Sequence, residues 1–133
     1  MVCEEADVSL VYTEPPTAGY HEFRDLAMAS GVRRGVDYAG GRRLHQWAKK
    51  AGFEVLHVAA YHPHYVDGPH KGFWSWTFAE AGAGMVKAGE LTEERMRELA
   101  EAMYAADADP NVLVAHCRTH QLIARKPLGL PPT

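Results

Sequence analysis

GRRLHQWAKKAGFEVLHVAAYH (residues 41–62) is the stretch on which the fold turns. Leu44, Trp47, Ala48 and Ala51 recur at helical spacing and predict one apolar stripe. Lys49 and Lys50 fall in the last turn, where positive charge suits the negative end of the helix dipole. Gly52 supplies the left-handed residue that ends such a helix, and Phe53 can fold back over it in a Schellman-type cap. From Phe53 to Tyr61 the chain carries Val, Leu and Ala at odd and even positions alike. A strand of that composition is expected to be buried on both faces, as in a sheet flanked by helices. Helix, glycine and strand in this order predict an α/β fold.

The flanking segments extend the pattern. VCEEADVSLVY (residues 2–12) reads as strand through Val2-Cys3 and again from Val8 to Tyr12, stopped by Pro15-Pro16. A helix follows, with Thr17 as N-cap, Tyr20, Phe23, Leu26 and Ala27 on one face, and Gly31 as its stop. Residues 32–41 read as a loop, and HPHYVDGPHKG (62–72) as a turn-rich connection. An aromatic helix is expected from about 73 to 88. Thr92 caps another, Glu93 and Glu94 in its first turn and Met96, Leu99, Ala100 and Met103 along its stripe, until Asp109-Pro110 ends it. VLVAHCRTHQLIARK (112–126) reads as one last strand. The expected organisation is a single domain over residues 1–127 and a loose tail over 128–133.

Bulk properties narrow the function classes. A chain of 133 residues with 47% hydrophobic and 23% charged residues can bury a real core in one domain. The net charge of −3, with acids and bases interspersed, offers no basic stripe for nucleic acid and no polybasic arm for a membrane surface. No apolar stretch is long enough for a membrane span, and the acidic start is unlike a signal peptide. Cys3 and Cys117 make no disulfide framework and read as free thiols. These features together predict a cytoplasmic protein.

Gly82-Ala83-Gly84 resembles the glycine loop that cradles a nucleotide. Such a loop must end a strand and open a helix, so that backbone N–H groups face the phosphates. Here the preceding KGFWSWTFAE (71–80) is an aromatic run ending in helix formers, and Lys87 stands where a third glycine belongs. Glycines inside a packed helix are the expectation.

Four stretches in order carry a family resemblance: EEAD (4–7), GGRRLHQWAKKAGFEVLHV (40–58), AGAGMVKAGELTEERMRELAEA (81–102) and ADPNVLVAHCRTHQLIARKP (108–127). Together they resemble the C-terminal half of class I S-adenosylmethionine-dependent methyltransferases of the ubiquinone/menaquinone-biosynthesis-like branch. The resemblance implies a truncated Rossmann-like sheet of about three strands, in the family order five, seven, six, with the last strand antiparallel and a helical lid inserted before it. It also implies small-molecule methyl transfer as the activity. The family's cofactor loop, the acid ending strand two and the contacts after strand four belong to the N-terminal half and have no counterpart in this sequence. The chain alone is therefore expected to bind no cofactor, taking part in S-adenosylmethionine chemistry only when an N-terminal half is supplied. An edge at strand five and uncovered helix faces would favour a homodimer or docking onto a separately encoded N-terminal half.

Candidate chemistry gathers in AYHPHYVDGPH (60–70). His62, His64, Asp67 and His70 contain metal-binding residue types, but Pro63 is expected to point the first two rings apart, and His116 and His120 lie on a strand; no metal is expected. The stronger reading is a pocket wall at the carboxyl end of a strand, where open α/β sheets bind ligands. With the family layout, Glu5 and His62 become the candidate acid–base pair. Asp7, Tyr12, Tyr61, His64, Trp74 and Phe78 become candidate substrate-binding residues, with Trp74 facing the pocket and Trp76 packing inward. The plain alternatives are a solvated acidic edge at Glu4, Glu5 and Asp7 and simple core for the aromatic run. A cofactor-independent cyclase, isomerase or dehydratase on the same scaffold, or a non-catalytic binding module, remain the competing functions.

Overall fold

The fold is an α/β arrangement of four helices and two small antiparallel sheets, seen in a computed structural model that describes residues 1–127 and residue 129. The tail expected over 128–133 otherwise lies outside the described residues.

Strand β1 (Val2–Asp7) leads through a short 3-10 turn at Val8–Leu10 into β2 (Tyr12–Glu14). Helix α1 spans Ala18–Arg33, α2 spans Leu44–Lys50, and β3 runs Glu54–Tyr61 before the two-residue β4, His64–Tyr65. Helices α3 (Phe73–Lys87) and α4 (Glu93–Ala108) follow, then β5 (Leu113–Ala115) and β6 (Arg118–Arg125). The first sheet has the order β1-β6-β3 and the second β2-β5-β4. In both, the central strand is antiparallel to its neighbours, so β1 and β3 run parallel with the last strand reversed between them.

The two sheets are one three-stranded ribbon interrupted at a single level. β1 continues into β2, β3 into β4, and β5 into β6, in the same lateral order. The breaks fall at Val8–Val11, His62-Pro63 and His116-Cys117. The 3-10 turn is set by Asp7, whose carboxylate accepts from the Ser9 backbone N–H at 3.1 Å. At the other two breaks the chains pin each other: the His116 N–H donates to the Pro63 carbonyl at 3.0 Å, and His62 Nε2 lies 2.7 Å from the His116 carbonyl. The strand expected over 112–126 is thus two strands, and the Val8–Tyr12 strand is a turn followed by β2.

The helix–glycine–strand unit forms as its chemistry dictates. Gly52 adopts φ +82°, and the Phe53 N–H reaches the Ala48 carbonyl at 2.9 Å while Gly52 N–H reaches Lys49 at 3.0 Å, closing the Schellman pattern. Trp47, expected in the buried stripe, lies largely exposed under the Arg43 guanidinium. Helix α1 runs past Gly31 to Arg33. Thr92 caps α4 by accepting from the Arg95 N–H at 3.1 Å.

The main core lies where α1, α3 and α4 pack over the ribbon around its break: Tyr20 and Phe23, Trp74 and Phe78, and Leu99 and Met103 meet Val11 and Val114. Buried inside it, the Tyr20 hydroxyl donates to Asp107 at 2.5 Å and the Ser75 hydroxyl donates to the other carboxylate oxygen, so one acid joins all three helices. At Gly82 the Met96 side chain packs directly on the helix: a Cβ there would lie 2.7 Å from Met96 Sδ. Gly82-Ala83-Gly84 is helix interior, as expected.

A smaller core lies under α2, where Ala48 meets Leu122 and Ala124. The outer strand is largely bare. β3, expected to be buried on both faces, is mostly exposed, with Leu56 at 50%, Val58 at 51% and Tyr61 at 63%. Its apolar run belongs to an outer strand, whose side chains lose cover at the free edge.

Candidate functional site: an aromatic cavity at the end of the first strand

A space lies between the carboxyl half of β1 and the helices α1 and α3. A cavity of about 650 Å³ lies there. Glu5 and Ala6 bring the carboxyl half of β1 to it, and Val8 comes from the turn beyond. Phe23 from α1 and Trp74 and Phe78 from α3 make an aromatic wall, with ring centroids 5.5 Å and 5.8 Å from Phe23 to the other two. Such a lining suits an apolar molecule, with Trp74 and Phe23 the rings of this wall that keep some exposed surface.

Polar groups sit among these walls. Ser30, Arg34 and Glu90 approach from one side, Thr77 and Glu80 from α3. Arg33 holds Glu90 in an ion pair and keeps its carboxyl below the usual range. The indole N–H of Trp74 is buried and has no hydrogen-bond partner among the described residues. A donor left in that state costs about 1–3 kcal/mol.

Of the residues singled out from the sequence, Glu5, Trp74 and Phe78 line this cavity. The others do not. Asp7 is 1% exposed and holds the Ser9 turn while pairing with Arg42, whose Nε donates at 2.8 Å. Its burial and full set of partners make it a structural anchor. Tyr61 stands exposed on the outer strand.

Tyr12, His62 and His64 form a separate cluster. The Tyr12 hydroxyl lies 3.0 Å from His64 Nε2, and the His62 and His64 rings are 4.6 Å apart. The bend at Pro63 therefore brings the two rings together instead of splaying them. Burial lowers the His62 pKa against the opposing pull of the His116 carbonyl, and the neighbouring His64 and Arg118 lower it further. His62 is thus neutral near pH 7. No three metal-binding side chains are grouped among the described residues.

Glu5 and His62 are not brought together. Glu5 pairs with His120, which pairs with Ala60, so two strand spacings, about 10 Å, separate Glu5 from Ala60 and His62 lies two residues further on. Of the two tryptophans, Trp74 lies at the cavity as expected, and Trp76 does not pack inward. Trp74 lines the cavity but is 9% exposed and belongs to the main core, whereas Trp76 is 54% exposed and packs outward.

Phe23, Tyr38, Ser30 and Arg34 are cavity residues that the sequence reading did not reach. The available signal was Phe23 with Ala27, one helical turn apart on the apolar face of α1; only the docking of α1 against α3 turns that face into a wall. No helix among the described residues is long and apolar enough to cross a membrane, and both cysteines are free. No protein-family model matches the chain, and no curated protein matches it either.

Proposed function

We propose that the chain is the acceptor-binding half of a small-molecule methyltransferase, with S-adenosylmethionine held by residues outside this chain. The observation that carries the proposal is the first sheet: two parallel strands with the chain's last strand reversed between them. That is the order implied by the resemblance in EEAD, GGRRLHQWAKKAGFEVLHV and ADPNVLVAHCRTHQLIARKP. The aromatic cavity supports the division of labour, because it lies at the carboxyl end of β1, and in open α/β sheets of the kind the resemblance implies that end binds ligands. In this reading Phe23, Trp74 and Phe78 hold an apolar acceptor and exclude water. Glu5 stands at the cavity as the nearest carboxylate from the sheet.

The competing acid–base reading needs His62 beside Glu5, and their separation across the sheet removes its support.

One experiment with two titrations tests the proposal. The neutral probe N-phenyl-1-naphthylamine should bind saturably and brighten. Gly84→Phe, at a cavity-lining helix position where an added Cβ would point into open space, should abolish that binding and leave the fold intact. Calorimetry of the chain with S-adenosylmethionine should show no Kd tighter than about 100 µM. Probe binding unchanged by Gly84→Phe would remove the cavity as acceptor site, and tight cofactor binding by the chain alone would overturn the division of labour.

A further inference from the structure

The first sheet has two outer strands, and their free edges differ in chemistry. β1 reads VCEEAD, with three carboxylates in six residues. β3 reads EVLHVAAY, with one acid at its start, and that acid, Glu54, is paired with Arg125 at 2.6 Å. Among the described residues neither strand pairs on its outer side. An open edge with exposed apolar residues is a template for another strand.

We infer that β3 is a self-association edge, and that two copies of this chain join there through an antiparallel β3–β3′ seam into one six-stranded sheet. Two features choose the occupant. The first is charge register. A β-bulge at Leu56 divides β3, and its regular run is His57–Tyr61. Folded antiparallel on a two-fold centred at Ala59, that run sets Val58 opposite the partner copy's Ala60 and keeps Glu54 outside the seam. A two-fold at the middle of β1 sets Glu4 opposite Glu5, and like charges directly opposite are destabilising. The edge that repels its own copy is β1, and the edge that accepts it is β3. The second feature is what β3 leaves uncovered: Leu56 and Val58 are half-exposed on the strand that would form the seam. The symmetry closes, because a two-fold interface uses the same patch on both copies and leaves no further β3 edge to extend a fibre.

A two-fold axis through such a seam stands perpendicular to the sheet, so both copies of α2 lie on one face beside it. α2 already packs against β3 in each copy. The inference is independent of the cavity: it stands on β3 alone and leaves the β1 edge free.

Sedimentation velocity across concentration tests it, with Leu56→Asp/Val58→Asp as the variant and Glu4→Lys as the control on the opposite edge. The wild type and Glu4→Lys should sediment as dimers, and the double variant, which sets four carboxylates against the seam, as a monomer. Amide exchange on the unmodified protein supplies a second readout that needs no variant. The β3 amides should exchange more slowly at about 100 µM than at about 1 µM, as mass action requires, while the β1 amides keep their rate. A monomeric wild type, or a dimer that protects β1 instead of β3, would overturn the assignment.

Discussion

Trp74 and Trp76 stand two positions apart on one helix and have opposite surroundings. A helix turns about 100° per residue, so the two side chains diverge by about 200° and only one can enter the core. Trp74 is the one, wedged against Phe23 and Phe73 with centroids 5.5 and 5.2 Å away. Trp74→Ala should cost about 3–5 kcal/mol, as deletion of a buried large aromatic does. Trp76→Ala should fall within about 0.5 kcal/mol of the parent, as exposed substitutions do. Urea denaturation of both variants measures the contrast, and equal losses would contradict it. Helical geometry told that the two rings part, but not which way each goes. The choice depends on where α3 meets α1, and no residue within α3 encodes that.

At the scale of elements, what was legible is what local chemistry determines. The α2–Gly52–β3 unit was readable because its C-cap needs a left-handed residue, and Gly52 at φ +82° provides it. Gly52→Ala should destabilise by about 1–2 kcal/mol, the cost of forcing an L-residue into that region. The midpoint of thermal unfolding reports it, and an unchanged midpoint would mean that the cap contributes nothing. The break between β5 and β6 had no such signal, since AHCR contains neither glycine nor proline. It is imposed from the sides: β1 ends at the Asp7–Ser9 turn, β3 ends before Pro63, and the central strand must break where both neighbours do. For the same reason the cavity was half legible. Trp74 and Phe78 could be named from an aromatic run, and Glu5 from the family layout, whereas Phe23, Ser30 and Arg34 arrive through the packing of α1.

For the whole molecule, the break also governs the response to acid. His116 sits in it at 8% exposure, against Tyr65 and Phe73, with ring centroids at 4.7 and 5.7 Å. Burial lowers its pKa from 6.5; the Lys71 and His70 backbone and Asp107 oppose the shift, and the His70 ring adds to it. A histidine with a depressed folded pKa binds fewer protons folded than unfolded. Stability is therefore intact above about pH 6.5 and falls as the pH drops below it. Melting temperatures should decline from pH 7.5 to pH 5, and His116→Phe should flatten that decline; an equal slope in the variant would exclude His116 as its source. The topology has one more consequence, for synthesis. The strand at the centre of the sheet is the last one made: β1 closes on β6 with Cys3 opposite Leu122. While the ribosome is still short of residue 118, β1 and β3 both exist without the strand that joins them. Helices can form along the way, but the sheet cannot grow strand by strand behind the exit tunnel. It must zip in one late event, a long-range closure of the slow kind.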